Sequence, residues 1–176
     1  MKNLSLIFAT IIFSFVSAYA QQDPSVQVKS KIAVLKIMSG KWEGSGWQME
    51  QSGERKNVQV KEQIQFRLDS TILMVEGLGT DANGNTVHEA MGIISYDPYQ
   101  NKYVMNSFVS QGYSTKADFE VVSDTAFIWS FSAGPGKKIR YKLTFENDTW
   151  NEKGEISING GEWFPFFEMK LTRITN

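Results

Sequence analysis

The chain alternates apolar and polar residues in short runs, and one run is unusually regular. From Lys56 to Asp69, Val58, Val60, Ile64, Phe66 and Leu68 fall on one parity, and Gln59, Lys61, Gln63, Gln65 and Arg67 on the other. A period of two over that length predicts a β-strand with one wet face and one buried face. Similar but shorter runs are expected over 41–50, 71–80, 85–96, 102–110, 113–122, 125–132, 137–146, 149–158 and 162–173. Between them sit compact turn sequences such as Asp81–Gly84, Asp97-Pro98, Gly134-Pro135-Gly136 and Asn159-Gly160-Gly161. Links this short join antiparallel neighbours and leave no room for a parallel crossover. About ten such strands in a meander would present two long open edges. Closing the sheet removes them, so the expected fold is all-β: a single closed antiparallel up-and-down barrel, with a two-sheet sandwich as the rival.

Two segments precede the strands. Val28, Ile32, Leu35 and either Ile37 or Met38 recur at three to four residues, predicting one short helix over Val26–Met38, with Gly40 as its stop. Before it, Lys2, the apolar run Leu4–Val16 and Ala18-Tyr19-Ala20 have the layout of a cleavable export signal. That run is thirteen residues, short of the roughly 20 needed to span a bilayer. The expected organisation is therefore a signal peptide over 1–20, a linker and short helix over 21–40, and a barrel domain over 41–174. The protein is expected to be exported, either periplasmic or secreted, with no membrane span after cleavage.

Composition narrows the chemistry. Cysteine is absent, which removes disulfides, thiol catalysis and thiolate metal ligands. The net charge of −1 becomes about −2 once Lys2 is removed, and there is no basic patch for a phosphate backbone, so no nucleic-acid partner is expected. One histidine and no cysteine leave little for a metal site, and none is expected. No nucleophile elbow, phosphate loop or dinucleotide fingerprint occurs, and no catalytic residue is assigned.

The opening Gly40-Lys41-Trp42-Glu43-Gly44-Ser45-Gly46 resembles the calycin superfamily, which includes lipocalins and nitrobindins. That resemblance implies that Trp42 packs against Arg173 near the end of the last strand, with Gly40 and Gly44 completing the structural signature. Glu62, Glu76-Gly77, His88-Glu89 and Ser95-Tyr96-Asp97 add a resemblance to the bacterial domain of unknown function 1579, over about Leu35 to Arg173. A nitrobindin-like protein would hold haem through a late histidine. The single histidine here is His88, so haem is not expected.

Glu62 shares its face with Val60 and Ile64, which predicts a carboxyl inside the barrel, either fixing a ligand's polar end or bonded to a structural partner. The parity around His88 is ambiguous. Met74, Phe108, Trp129 and Tyr141 complete the candidate ligand-binding set with Glu62 and His88, as part of an adaptable apolar lining or of a filled core. The leading expectation is a barrel binding a small apolar or amphipathic ligand. The alternatives are a structural or interaction protein with a filled barrel, or an acid–base enzyme using Glu62, Glu76 or His88. Ligand identity and oligomeric state are not legible.

Overall fold

The computed structural model describes residues 23–50 and 52–175; the segment expected to direct export lies outside them. The chain begins with α1 (Pro24–Ala33), where the Asp23 carboxyl accepts from the Ser25 N–H at 2.9 Å and Pro24 occupies the first turn. This cap and proline start the helix two residues before the apolar periodicity does. From Val34 to Met38 the chain tightens into a 3₁₀ turn rather than continuing as α-helix.

Ten strands follow: β1 (Gly40–Met49), β2 (Arg55–Arg67), β3 (Ile72–Thr80), β4 (Thr86–Asp97) and β5 (Lys102–Val109), then β6 (Ser114–Ser123), β7 (Ala126–Ser132), β8 (Lys137–Glu146), β9 (Thr149–Ile158) and β10 (Trp163–Ile174). Each pairs antiparallel with its sequence neighbours, and β1 pairs with β10 from Lys41↔Ile174 to Gln48↔Phe167. The barrel is closed. Gly44 and Gly46 sit at this seam, where a Cβ on either would come within 2.2–2.3 Å of a β10 carbonyl oxygen. Side chains there would push the last strand away from the first.

Leu68 does not join the buried face of β2. The strand ends at Arg67, and Leu68, Asp69 and Ser70 turn with positive φ, leaving Leu68 73 % exposed.

The alternating strand directions give the barrel two unlike ends. One end carries the turns after β2, β4, β6 and β8, together with α1. Ile32, Leu35 and Met38 pack there on Ile64, Leu73, Phe127, Phe145 and Leu171, all buried. Trp42 seals this floor, edge-on to Phe145 and Trp150 with centroids at 5.4 and 5.9 Å. Its Nε1 donates to the Met38 carbonyl at 2.9 Å. The Arg173 guanidinium lies 4.0 Å above the indole and donates to the carbonyls of Ile37 and Ser39 and to Asp148. These donors satisfy carbonyls that the end of the 3₁₀ turn leaves without helical partners. Gly40 has φ +134, and a Cβ there would meet Arg173 Nη1 at 2.6 Å, so glycine is required on both counts. The opposite end carries the turns after β1, β3, β5, β7 and β9 and, among the described residues, has no helix across it.

Candidate functional site

The lumen above the floor is not filled. A cavity of about 390 Å³ runs from Met38 and Trp150 toward the uncovered end. This is within the roughly 300–1,000 Å³ range of small-molecule pockets. Gly77, Ala90, Gly92, Ser107 and Thr115 keep the β3–β6 wall thin, while Trp129, Tyr141, Phe166 and Phe167 thicken the β7–β10 wall.

Strand parity puts four titratable side chains on this lining: Glu62 from β2, His88 from β4, Tyr141 from β8 and Glu152 from β9. No lysine or arginine lines it among the described residues. Glu62 lies against Gly77 of the paired strand, where a Cβ would sit 2.6 Å from its Oε1. Its Oε2 is buried without a hydrogen-bond partner. Burial first, and the charge of Glu152 second, hold the Glu62 carboxyl well above the usual carboxylate range. Glu152 is 8 % exposed. Burial pushes it up to about 8, against the pull of the Trp129 and Trp150 indoles. That pull stops short of a complete hydrogen-bond shell, because the Trp150 Nε1 remains buried and unpartnered. The Tyr141 phenol is pushed upward by burial and by Glu152.

Aromatic rings back this carboxyl pair. Trp129 and Tyr141 stack with centroids 4.0 Å apart and planes 6° from parallel, and Phe131 continues the stack at 5.8 Å. Phe166, the extra residue at a register shift in β10, meets Tyr141 edge-on at 5.6 Å. Gly154 leaves the space for this contact, since a Cβ there would meet both Tyr141 and Phe166 at 2.9–3.0 Å.

The candidate residues therefore separate. Glu62, Trp129 and Tyr141 share the lumen, and His88, though exposed, reaches the lining near the rim, where partial desolvation lowers its pKa. Met74 and Phe108 do not belong to the lining. On β3 the inward parity is Leu73, Val75, Gly77 and Gly79; on β5 it is Tyr103, Met105, Ser107 and Val109. Met74 and Phe108 fall on the outer wall, where Phe108 is 46 % exposed opposite Met91. Both strands are apolar on both faces, so composition could not choose between them. Glu76 also points outward, opposite Gln63 and Met91, and is not part of the lumen lining that holds Glu62. Glu152 is absent from the expected set. The available signal was its shared parity with Trp150, obscured by Asn151, Lys153 and Glu155 on the other face.

The outer wall of β8 and β9 takes the opposite charge. Arg140 and Lys142 approach Glu155 at 2.7 and 3.0 Å, and Arg140 stacks on Trp163 at 3.9 Å. Among the described residues, no three His, Asp or Glu side chains gather to hold a metal, and no helix is long and apolar enough to cross a membrane.

No protein-family model matches the chain, and no curated protein does. Among solved structures, the fold is similar to Rv2717c from M. tuberculosis, at TM-score 0.63 and 11% identity over 87% of this chain and 99% of that one. It is also similar to the S-type phycobiliprotein lyase CPES from Guillardia theta, at TM-score 0.57 and 10% identity over 88% and 99%. At these identities the likeness establishes a shared closed-barrel fold.

Proposed function

We propose that this is an exported, calycin-like barrel that binds one small amphipathic ligand in its lumen. The observation that supports it most directly is a cavity of about 390 Å³ combining an aromatic wall with two buried carboxyls, one holding an oxygen without a partner. Buried polar atoms left unpaired are costly, and a ligand group that pairs them recovers that cost. The body of the ligand lies against Trp129, Tyr141 and Phe166, and its polar end reaches Glu62 and Glu152. Export rests on Lys2, Leu4–Val16 and Ala18-Tyr19-Ala20, with Gln21 as the first residue after cleavage. Calycin kinship rests on the Gly40-x-Trp42-x-Gly44-x-Gly46 opening and Arg173.

The test is native mass spectrometry of protein purified from its own host. The expected spectrum begins at Gln21 and carries a one-to-one noncovalent adduct that is lost on denaturation. Repeated preparations with no adduct would count against ligand binding, and an intact N-terminal segment would count against export. An interaction protein is the second reading. Leu78, Met91 and Phe108 are partly exposed together on the outer β3–β5 wall, so a defined dimer mass in the same spectra would favour it.

A further inference from the structure

We propose that the lumen selects an organic cation, with an ammonium or amidinium headgroup set between Glu62 and Glu152 and an aromatic or alkyl body against Trp129 and Tyr141. This deepens the reading of the barrel as a ligand holder and rests on it.

The charge inventory of the cavity carries the inference. Two carboxyls enter it, from β2 and β9, and no lysine or arginine does among the described residues. The barrel does have cations close by, but Arg140 and Lys142 stand on the outer wall and pair with Glu155. A carboxyl kept for structure is ordinarily matched by a buried donor. The Glu62 Oε2 has none. The strand opposite supplies Gly77, so the carboxyl rests on bare backbone instead of a side chain that could pair with it.

The ligand classes differ in what they leave behind. An anion would face two acidic groups and no counter-charge. A neutral alcohol could donate to one carboxyl and accept from a protonated one, but it brings no charge to match an ionised carboxylate. An ammonium supplies three donors and a positive charge to match the carboxylate formed as it binds, and an amidinium supplies a planar fork for one carboxyl. Ring faces beside a desolvated cation add attraction. The stacked pair Trp129 and Tyr141 provides such faces, and the Trp129 and Trp150 indoles favour the ionised form of Glu152.

The other groups facing the pair do not supply the counter-charge. Tyr141 is held neutral, and His88 has its pKa lowered. β1 presents Gly44 and Gly46, and β10 presents Phe167 and Met169. Burial holds both carboxyls above the usual range, Glu152 up to about 8, so at pH 7 a bound cation ejects a proton from Glu152: protonated carboxyl plus ammonium gives carboxylate–ammonium pair plus a proton to the buffer. A neutral ligand ejects none.

Isothermal titration calorimetry tests this with three probes of one shape: 2-naphthylmethylamine, 2-naphthylmethanol and 2-naphthoate. Titrations at pH 7 in phosphate and in Tris, which differ in ionisation enthalpy, count the protons. The amine is expected to bind at least about tenfold more tightly than the alcohol, with naphthoate weakest, and to release close to one proton. In the Glu62→Gln/Glu152→Gln double variant, amine and alcohol are expected to bind alike with no proton release. If that variant does not fold, the amine-to-alcohol ratio and the proton count of the unmodified protein decide the matter. An alcohol that binds as tightly as the amine, with no proton released by either, overturns the cation class and leaves the ligand-holding barrel standing. Failure of all three to bind at about 1 mM overturns both.

Discussion

Replacing Glu152 with glutamine should change how stability depends on pH, and the direction follows from where the carboxyl sits. In the unfolded chain it titrates near 4.5; in the barrel, burial raises it to about 8. Between those values the unfolded chain gives up a proton that the native state keeps. Stability is therefore fully present below about pH 4.5, falls as pH rises, and reaches its floor above about pH 8. A displacement of about 3.5 units at about 1.4 kcal/mol each sets an upper bound of about 5 kcal/mol. Relaxation of the lumen and water entry reduce this, so the expected fall is about 2–4 kcal/mol. Glu62 acts in the same direction. His88, whose pKa partial desolvation lowers, acts oppositely below about pH 6.5 in both proteins and cancels in the comparison. Three carboxylates are lowered: Asp23 by the Ser25 backbone N–H, Asp81 by the Asn85 side chain, and Glu155 because Lys142 and Arg140 outweigh its burial. Their stabilisation is present above about pH 4.5 and lost below it, outside the tested window. Urea unfolding at constant ionic strength from pH 5 to 8.5 gives the slopes, and the Glu152→Gln protein should show a clearly shallower loss than the wild type, the remaining slope being that of Glu62. A wild-type protein whose stability is flat or rising over that range, or a variant with an identical slope, would refute the assignment of Glu152 as a buried, proton-holding group.

Two further predictions concern the scaffold. Arg173→Met removes the donors to Ile37 and Ser39, the Asp148 pair and the cover over Trp42. It should lower unfolding free energy by about 2–4 kcal/mol, and Arg173→Lys should not restore it because a single ammonium cannot replace the planar fork. A loss under about 0.5 kcal/mol in urea unfolding would sink that account of the floor. Gly44→Ala sets a methyl group against the β10 backbone, whereas Gly92→Ala meets the movable end of Met105. The first should cost more than about 2 kcal/mol and the second clearly less, and equal thermal midpoints would contradict the tight seam.

Much of the architecture was legible because β2 sorts its residues so cleanly. Val58, Val60, Glu62 and Ile64 went inward together, and the short turns left only a meander to close. The site was less legible. β3 and β5 are apolar on the solvent side as well, so Met74 and Phe108 carried no sign of which wall they faced. In β4, the inward position of Ala90, Gly92, Ile94 and Tyr96 decides the side of His88, but Val87, Met91 and Ile93 competed for the same reading. Glu152 sits in a strand whose other face is heavily charged, which makes a buried acid look like one more surface residue. Only its step of two from Trp150 marks it. Leu68 shows the converse error: the alternation ran on past the point where the backbone had already turned.

The helix across one end of the barrel has a kinetic consequence. With Ile32, Leu35, Met38 and Trp42 stoppering the floor, a ligand held as proposed would, among the described residues, enter and leave past the rim near His88. On that reading, the time a ligand stays would be set by the loops around the rim, and changes to those loops should alter residence while leaving the preference among ligands intact.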